Sequence, residues 1–80
     1  MSTSVVNFAA LVAEVLDVDP AEITENADQD ALPGWTSMRH IQLVVTLEEA
    51  YRVYFDYAEI RDARTIAGLR KVLRTKGIEV

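Results

Sequence analysis

The chain has 80 residues, with no cysteine, two prolines, three glycines, one tryptophan and one histidine. Without cysteine, neither a disulfide nor a thiolate metal site can hold the fold, and the redox compartment is left open. Residues 1–38 contain seven carboxylates and no lysine or arginine, and all eight basic residues lie from Arg39 onward. A basic leader region is therefore missing ahead of the stretch MSTSVVNFAALVAEVLD. Glu14 interrupts that stretch, and it is too short to span a bilayer, so neither a signal peptide nor a membrane anchor is expected. The expectation is a soluble, cytoplasmic protein. Nucleic-acid binding needs a basic stripe to neutralise phosphates. The net charge is −5, and the only candidate stripe, RKVLRTK near the C-terminus, shares its half of the chain with six carboxylates. Those cations are more simply read as complementing the negative end of a helix that Gly77 stops. A chain this short makes one domain, residues 1–80, with a modest core and no large enzyme pocket.

Apolar periodicity predicts three longer helices and two short ones. Phe8, Leu11, Val12, Val15 and Leu16 recur at helical spacing, with Thr3 or Ser4 as candidate caps and an end near Asp17. In DPAEI, Asp19 is a cap, Pro20 stands at the first helical position and Glu22 completes a capping box, with Ile23 pinning that turn to the core. Residues 24–36, TENADQDALPGWT, form a long acidic loop, a length that usually carries function or wraps the core. A second helix begins at Ser37. Asp56 and Glu59 form a second capping box closed by Ile60, and Thr65 caps a last helix with Ile66, Leu69, Val72 and Leu73 on one face. The aromatic stretch VYFDY suits a strand in composition but has no partner strand. The fold class is all-α: a small bundle of three main helices plus short helical turns.

The second helix carries two apolar stripes. Leu43, Val44, Leu47 and Tyr51 make a core face, whereas Met38, Ile41 and Val45 fall on roughly the opposite side. The second stripe either touches a loop or is an exposed strip for a partner, bordered by Arg39, Gln42, Glu49 and Arg52. His40 lies on the core side, where a lone histidine is an interior hydrogen-bonding residue and not a base or ligand. The only serines are Ser2, Ser4 and Ser37. His40 is only three residues along the same helix from Ser37, so no Ser-His-Asp arrangement follows. The acidic loop lacks the alternating ligands and central glycine of a calcium loop, which leaves incidental counterion binding and no metal site.

The order VLDVDPAEIT, an acidic stretch, LPGWTSMRHIQLVVTLEEAY, a short turn and TIAGL resembles the acyl carrier protein family across nearly the whole chain. In that family a serine at the start of the second helix, usually within Asp-Ser-Leu, bears 4′-phosphopantetheine. The resemblance makes Ser37 that serine, with Thr36 in place of the aspartate and Met38 in place of the leucine. Gly34, the run Leu47 to Glu49 and Tyr51 also fall at family spacing. A helix N-terminus favours an anion, which suits a phosphate-linked arm, and Thr36 can cap while leaving the Ser37 hydroxyl free.

The resemblance implies a discrete, monomeric acyl carrier protein that is not itself an enzyme. It would carry an acyl or related carboxylic group as a thioester on 4′-phosphopantetheine derived from coenzyme A and attached to Ser37. Its implied partners are a phosphopantetheinyl transferase and acyl-loading and acyl-processing enzymes, docked on Met38, Arg39, Ile41, Gln42, Val45, Glu49 and Arg52. The loop before Ser37, with Trp35 at its end, would shield or steer the arm. Family carriers usually present carboxylates where this chain has Arg39 and Gln42. Here Arg39 and Arg52 are set against Glu48 and Glu49, a near-balanced face that points to a dedicated polyketide-like or specialised pathway over bulk fatty acid synthesis. Two alternatives stay open: an unmodified carrier-like interaction module, which Thr36 keeps in play, and an aminoacyl or peptidyl carrier.

Overall fold

The computed structural model describes residues 7–80. Helix α1 spans Phe8–Leu16, a single 3₁₀ turn spans Pro20–Glu22, α2 spans Ser37–Tyr51, α3 spans Tyr57–Asp62 and α4 spans Ile66–Thr75. Thr3 and Ser4, the expected caps of α1, lie outside the described residues. The cap is Asn7, whose side-chain oxygen accepts the Ala10 N–H at 3.0 Å. The helix ends as expected at Asp17, which adopts the left-handed conformation.

Both predicted capping boxes are formed. Asp19 and Glu22 exchange side-chain-to-backbone bonds around the 3₁₀ turn, and Asp56 and Glu59 do the same at the start of α3. Backbone donation from Asp56 and the Lys76 ammonium 2.9 Å away hold the Glu59 carboxyl below the usual carboxylate range. Thr65 caps α4 by accepting the Gly68 N–H, and Gly77 ends the chain's last helix with a positive φ of 90°. Of the stretch VYFDY, residues 53–56 are loop and Tyr57 opens α3, and among the described residues no strand forms, only an isolated bridge between Asp28 and Thr65.

One core unites these elements. Phe8, Val12 and Leu16 of α1 meet Leu43, Val44 and Leu47 of α2 and Ile66, Leu69 and Leu73 of α4, all buried. The long loop wraps this core. It buries Ala27, Leu32 and Trp35. Its Ala27 and Glu25 carbonyls accept the Ile66 and Ala67 N–H groups, so the loop satisfies donors that the first turn of α4 would otherwise leave open. Arg70 of α4 binds the same region, with its Nε 2.7 Å from a Glu25 oxygen and its guanidinium over the Phe8 ring. No described helix is long and apolar enough to cross a membrane.

Candidate functional site

The site is the first turn of α2 and the loop that leads into it. Thr36 has extended backbone angles, its Oγ1 accepts the Arg39 N–H at 3.2 Å, and its carbonyl accepts the His40 N–H at 2.8 Å. With Thr36 acting as the cap, Ser37 occupies the first helical position, exposed, and its hydroxyl makes no hydrogen bond within the described residues. The Ser37 and Met38 N–H groups also have no backbone acceptor there. A nucleophilic oxygen and two open donors therefore stand together at the positive end of a 15-residue helix.

Beside this end, Met38, Ile41 and Val45 are 73%, 53% and 46% exposed, so the second apolar stripe of α2 does face outward. The opposite face packs inward through Leu43, Val44 and Leu47. Of the bordering residues, Gln42, Glu49 and Arg52 are exposed. Arg39 is not a free border cation. It is half-buried, and its Nη1 donates to the Leu16 carbonyl at 2.9 Å, where a cation suits the negative end of α1. Glu48 is likewise committed within the chain, accepting the Phe55 N–H at 2.8 Å. Among the described residues, the strip is therefore bordered by one free anion and one free cation, Glu49 and Arg52, with neutral Gln42.

Trp35 closes the loop against the core. It is 2% exposed and points inward, because a large indole gains most by burial and its N–H then needs an internal acceptor. That acceptor is His40. Trp35 Nε1–H donates to His40 Nδ1 at 3.0 Å, and His40 Nε2 lies 2.8 Å from the Ile60 carbonyl of α3. An indole N–H can only donate, so Nδ1 is the acceptor and Nε2–H donates to Ile60. His40 is thus the interior hydrogen-bonding residue expected from the wheel, and both of its ring nitrogens are satisfied.

Gly34 has a physical reason that spacing alone did not supply. A Cβ placed there would lie 2.8 Å from the Leu16 carbonyl oxygen, closer than real contacts allow, and that oxygen belongs to backbone that cannot rotate away. Glycine lets the loop approach the end of α1 and aim Thr36 and Ser37. Gly34→Ala is expected to cost about 1–3 kcal/mol through overpacking. A urea titration checks this, and an unchanged midpoint would contradict it.

No protein-family model matches the chain. A curated relative does: the polyketide-8 synthase acyl carrier protein 2 of Streptomyces avermitilis is 35% identical over 66 residues, covering 82% of this chain and 76% of that protein. That likeness agrees with the helical architecture and with an exposed serine opening α2, and the chain belongs to the acyl carrier protein family.

Proposed function

We propose that Ser37 bears 4′-phosphopantetheine and that the protein shuttles an acyl or related carboxylic group between enzymes of a dedicated polyketide-like pathway. The observation that carries this reading is the division of labour at the start of α2: Thr36 caps the helix, and Ser37 is left exposed with a free hydroxyl. The residues present fit the group. The open Ser37 and Met38 N–H groups and the helix dipole favour a phosphodiester at that oxygen. When bound, the arm supplies a terminal thiol that holds the cargo as a thioester. The chain's own residues position it: Gly34, Trp35 and Arg39 fix the loop against α1 and the core, and the strip of Met38, Ile41 and Val45 offers apolar area to the transferase and to later enzymes. Incubation with coenzyme A and a broad-specificity transferase should add one phosphopantetheinyl group per chain. Unchanged intact mass with several transferases would leave the strip as the binding surface of an unmodified interaction module.

Thr36 is the departure from the family triplet that changes charge, because it supplies no carboxylate for a basic group on the transferase. Asp caps a helix at least as well, so Thr36→Asp keeps the fold and restores the charge. A charge-assisted contact contributes roughly 1.5–3 kcal/mol, which corresponds to loading faster by about tenfold to a hundredfold in kcat/KM. Equal rates for both forms would mean that the transferase reads other residues.

The same logic applies to pathway choice. Complementary charge mainly sets encounter rate and excludes wrong partners, so a basic fatty-acid enzyme should meet this near-balanced face slowly. Arg39 should stay untouched in such a test, since its loss would strip the Leu16 carbonyl of its donor. Gln42→Glu, at an exposed position, should raise processing of the loaded protein by general fatty-acid enzymes several-fold at low salt and less at high salt. If the unaltered protein already serves those enzymes equally well, the dedicated pathway is wrong while the carrier role stands.

A further inference from the structure

We propose that Gln29 is a positioning residue for the loading of Ser37: it holds the peptide unit that enters α2 in the orientation that presents the serine. The inference rests on Ser37 bearing the arm. The half-buried Gln29 side chain reaches along the loop, and its Nε2 donates to the Trp35 carbonyl at 2.9 Å. Trp35 precedes the cap, so its carbonyl lies outside the hydrogen-bond ladder of α2 and has to find a donor elsewhere. At the other end of the same peptide unit, the Thr36 N–H donates to the Gly34 carbonyl at 3.0 Å. A peptide unit is planar, so its orientation sets how the chain turns at Thr36 and where Ser37 then stands. Held at both ends, this unit does not swing.

Gln29 is itself anchored. Immediately ahead of it the loop is fastened to the start of α4, where Asp28 pairs with Thr65 in the isolated bridge and the Ala27 carbonyl accepts the Ile66 N–H at 3.1 Å. Arg64, from the connection between α3 and α4, places its Nη1 3.4 Å from Gln29 Oε1. A donor on one side and an acceptor on the other permit one orientation of the side-chain amide. A flipped amide would set its NH₂ against the guanidinium and its oxygen against the Trp35 carbonyl. Gln29 therefore ties the entry of α2 to the start of α4 through a part of the loop that is already fixed. The loop packs through other groups, the buried side chains of Ala27, Leu32 and Trp35, so loss of the Gln29 amide should loosen the Trp35 to Thr36 peptide before it loosens the fold.

In loading, the Ser37 oxygen bonds to the pantetheine-bearing phosphorus of coenzyme A, the anhydride bond to 3′,5′-ADP breaks, and the serine proton passes to a base on the transferase. The rate of such a displacement depends on where the attacking oxygen is held. Substitution of Gln29 leaves the strip of Met38, Ile41 and Val45 in place for docking, so a misplaced Ser37 should show in kcat and not in KM. The experiment follows loading of the whole chain by a broad-specificity transferase at varied carrier concentration, for the wild type, Gln29→Met and Gln29→Glu. Methionine keeps the length of the side chain and removes both polar atoms. Glutamate keeps an oxygen for Arg64 and removes the donor to Trp35. In both variants kcat should fall about threefold to tenfold, with KM for the carrier within about twofold of the wild type. Val72→Ala, at a partly buried position of α4, supplies a general loss of packing and should keep the wild-type kcat at a temperature where circular dichroism shows it folded. An unchanged kcat in either folded Gln29 variant, a change confined to KM, or an equal fall in Val72→Ala would overturn the inference while the Ser37 reading stands. If Gln29→Met does not fold, Gln29→Glu decides. A wild-type chain that gains no mass with several transferases would remove the Ser37 reading and this inference with it.

Discussion

Trp35→Ala is expected to lower stability by about 3–5 kcal/mol, enough to unfold a large share of a domain this small at physiological temperature. Two losses combine. Truncating a buried indole removes apolar contact and leaves a cavity between the loop and α2, and His40 Nδ1 loses its donor at 3.0 Å. A buried acceptor left without a partner is costly beyond the lost packing. Tyr57, which is 76% exposed, provides the contrast: Tyr57→Ala should change stability by no more than about 0.5 kcal/mol. Urea unfolding followed by circular dichroism checks both. A loss below about 1 kcal/mol for Trp35→Ala would mean that the tryptophan does not anchor the site-bearing loop.

The other large effect is chemical. Ser37→Ala should abolish phosphopantetheinyl loading completely while leaving helicity intact and stability within about 0.5 kcal/mol of the parent. The structure separates the two outcomes because Ser37 does not cap α2. Thr36 makes the bond to the Arg39 N–H, and the Ser37 side chain is exposed. Alanine is also the best helix former, so the first turn should tolerate it. A variant that unfolds would show that the serine has a structural role, and a variant that still gains mass would place the attachment elsewhere.

What could be read from the sequence is set by the reach of the interactions. The boxes Asp19–Glu22 and Asp56–Glu59, and the caps Thr36 and Thr65, act over about three residues, and all four are formed. The periodicity of α2 likewise separates buried Leu43 and Leu47 from exposed Met38 and Ile41. The start of α1 was less determinate, because Thr3, Ser4 and Asn7 all precede the same apolar run; among the described residues, Asn7 is the one that bonds the Ala10 N–H. The direction of Trp35 was not legible for a different reason: nothing local says whether an aromatic at a loop end faces out or in. Its direction is decided by the His40 acceptor, which is itself held by the Ile60 carbonyl of α3. The Arg39–Leu16 bond spans 23 residues, and the Glu48–Phe55 bond fixes the turn between α2 and α3, so both border charges looked free on a helical wheel that carries no tertiary information.

The most direct test is residue-level mapping of the mass gained when the wild-type protein meets coenzyme A and a broad-specificity phosphopantetheinyl transferase. The account predicts a single phosphopantetheinyl group on the peptide containing GWTSMR, localised to the Ser37 oxygen by fragmentation. A protein that stays unmodified with several transferases, or one modified at the adjacent Thr36, would contradict it.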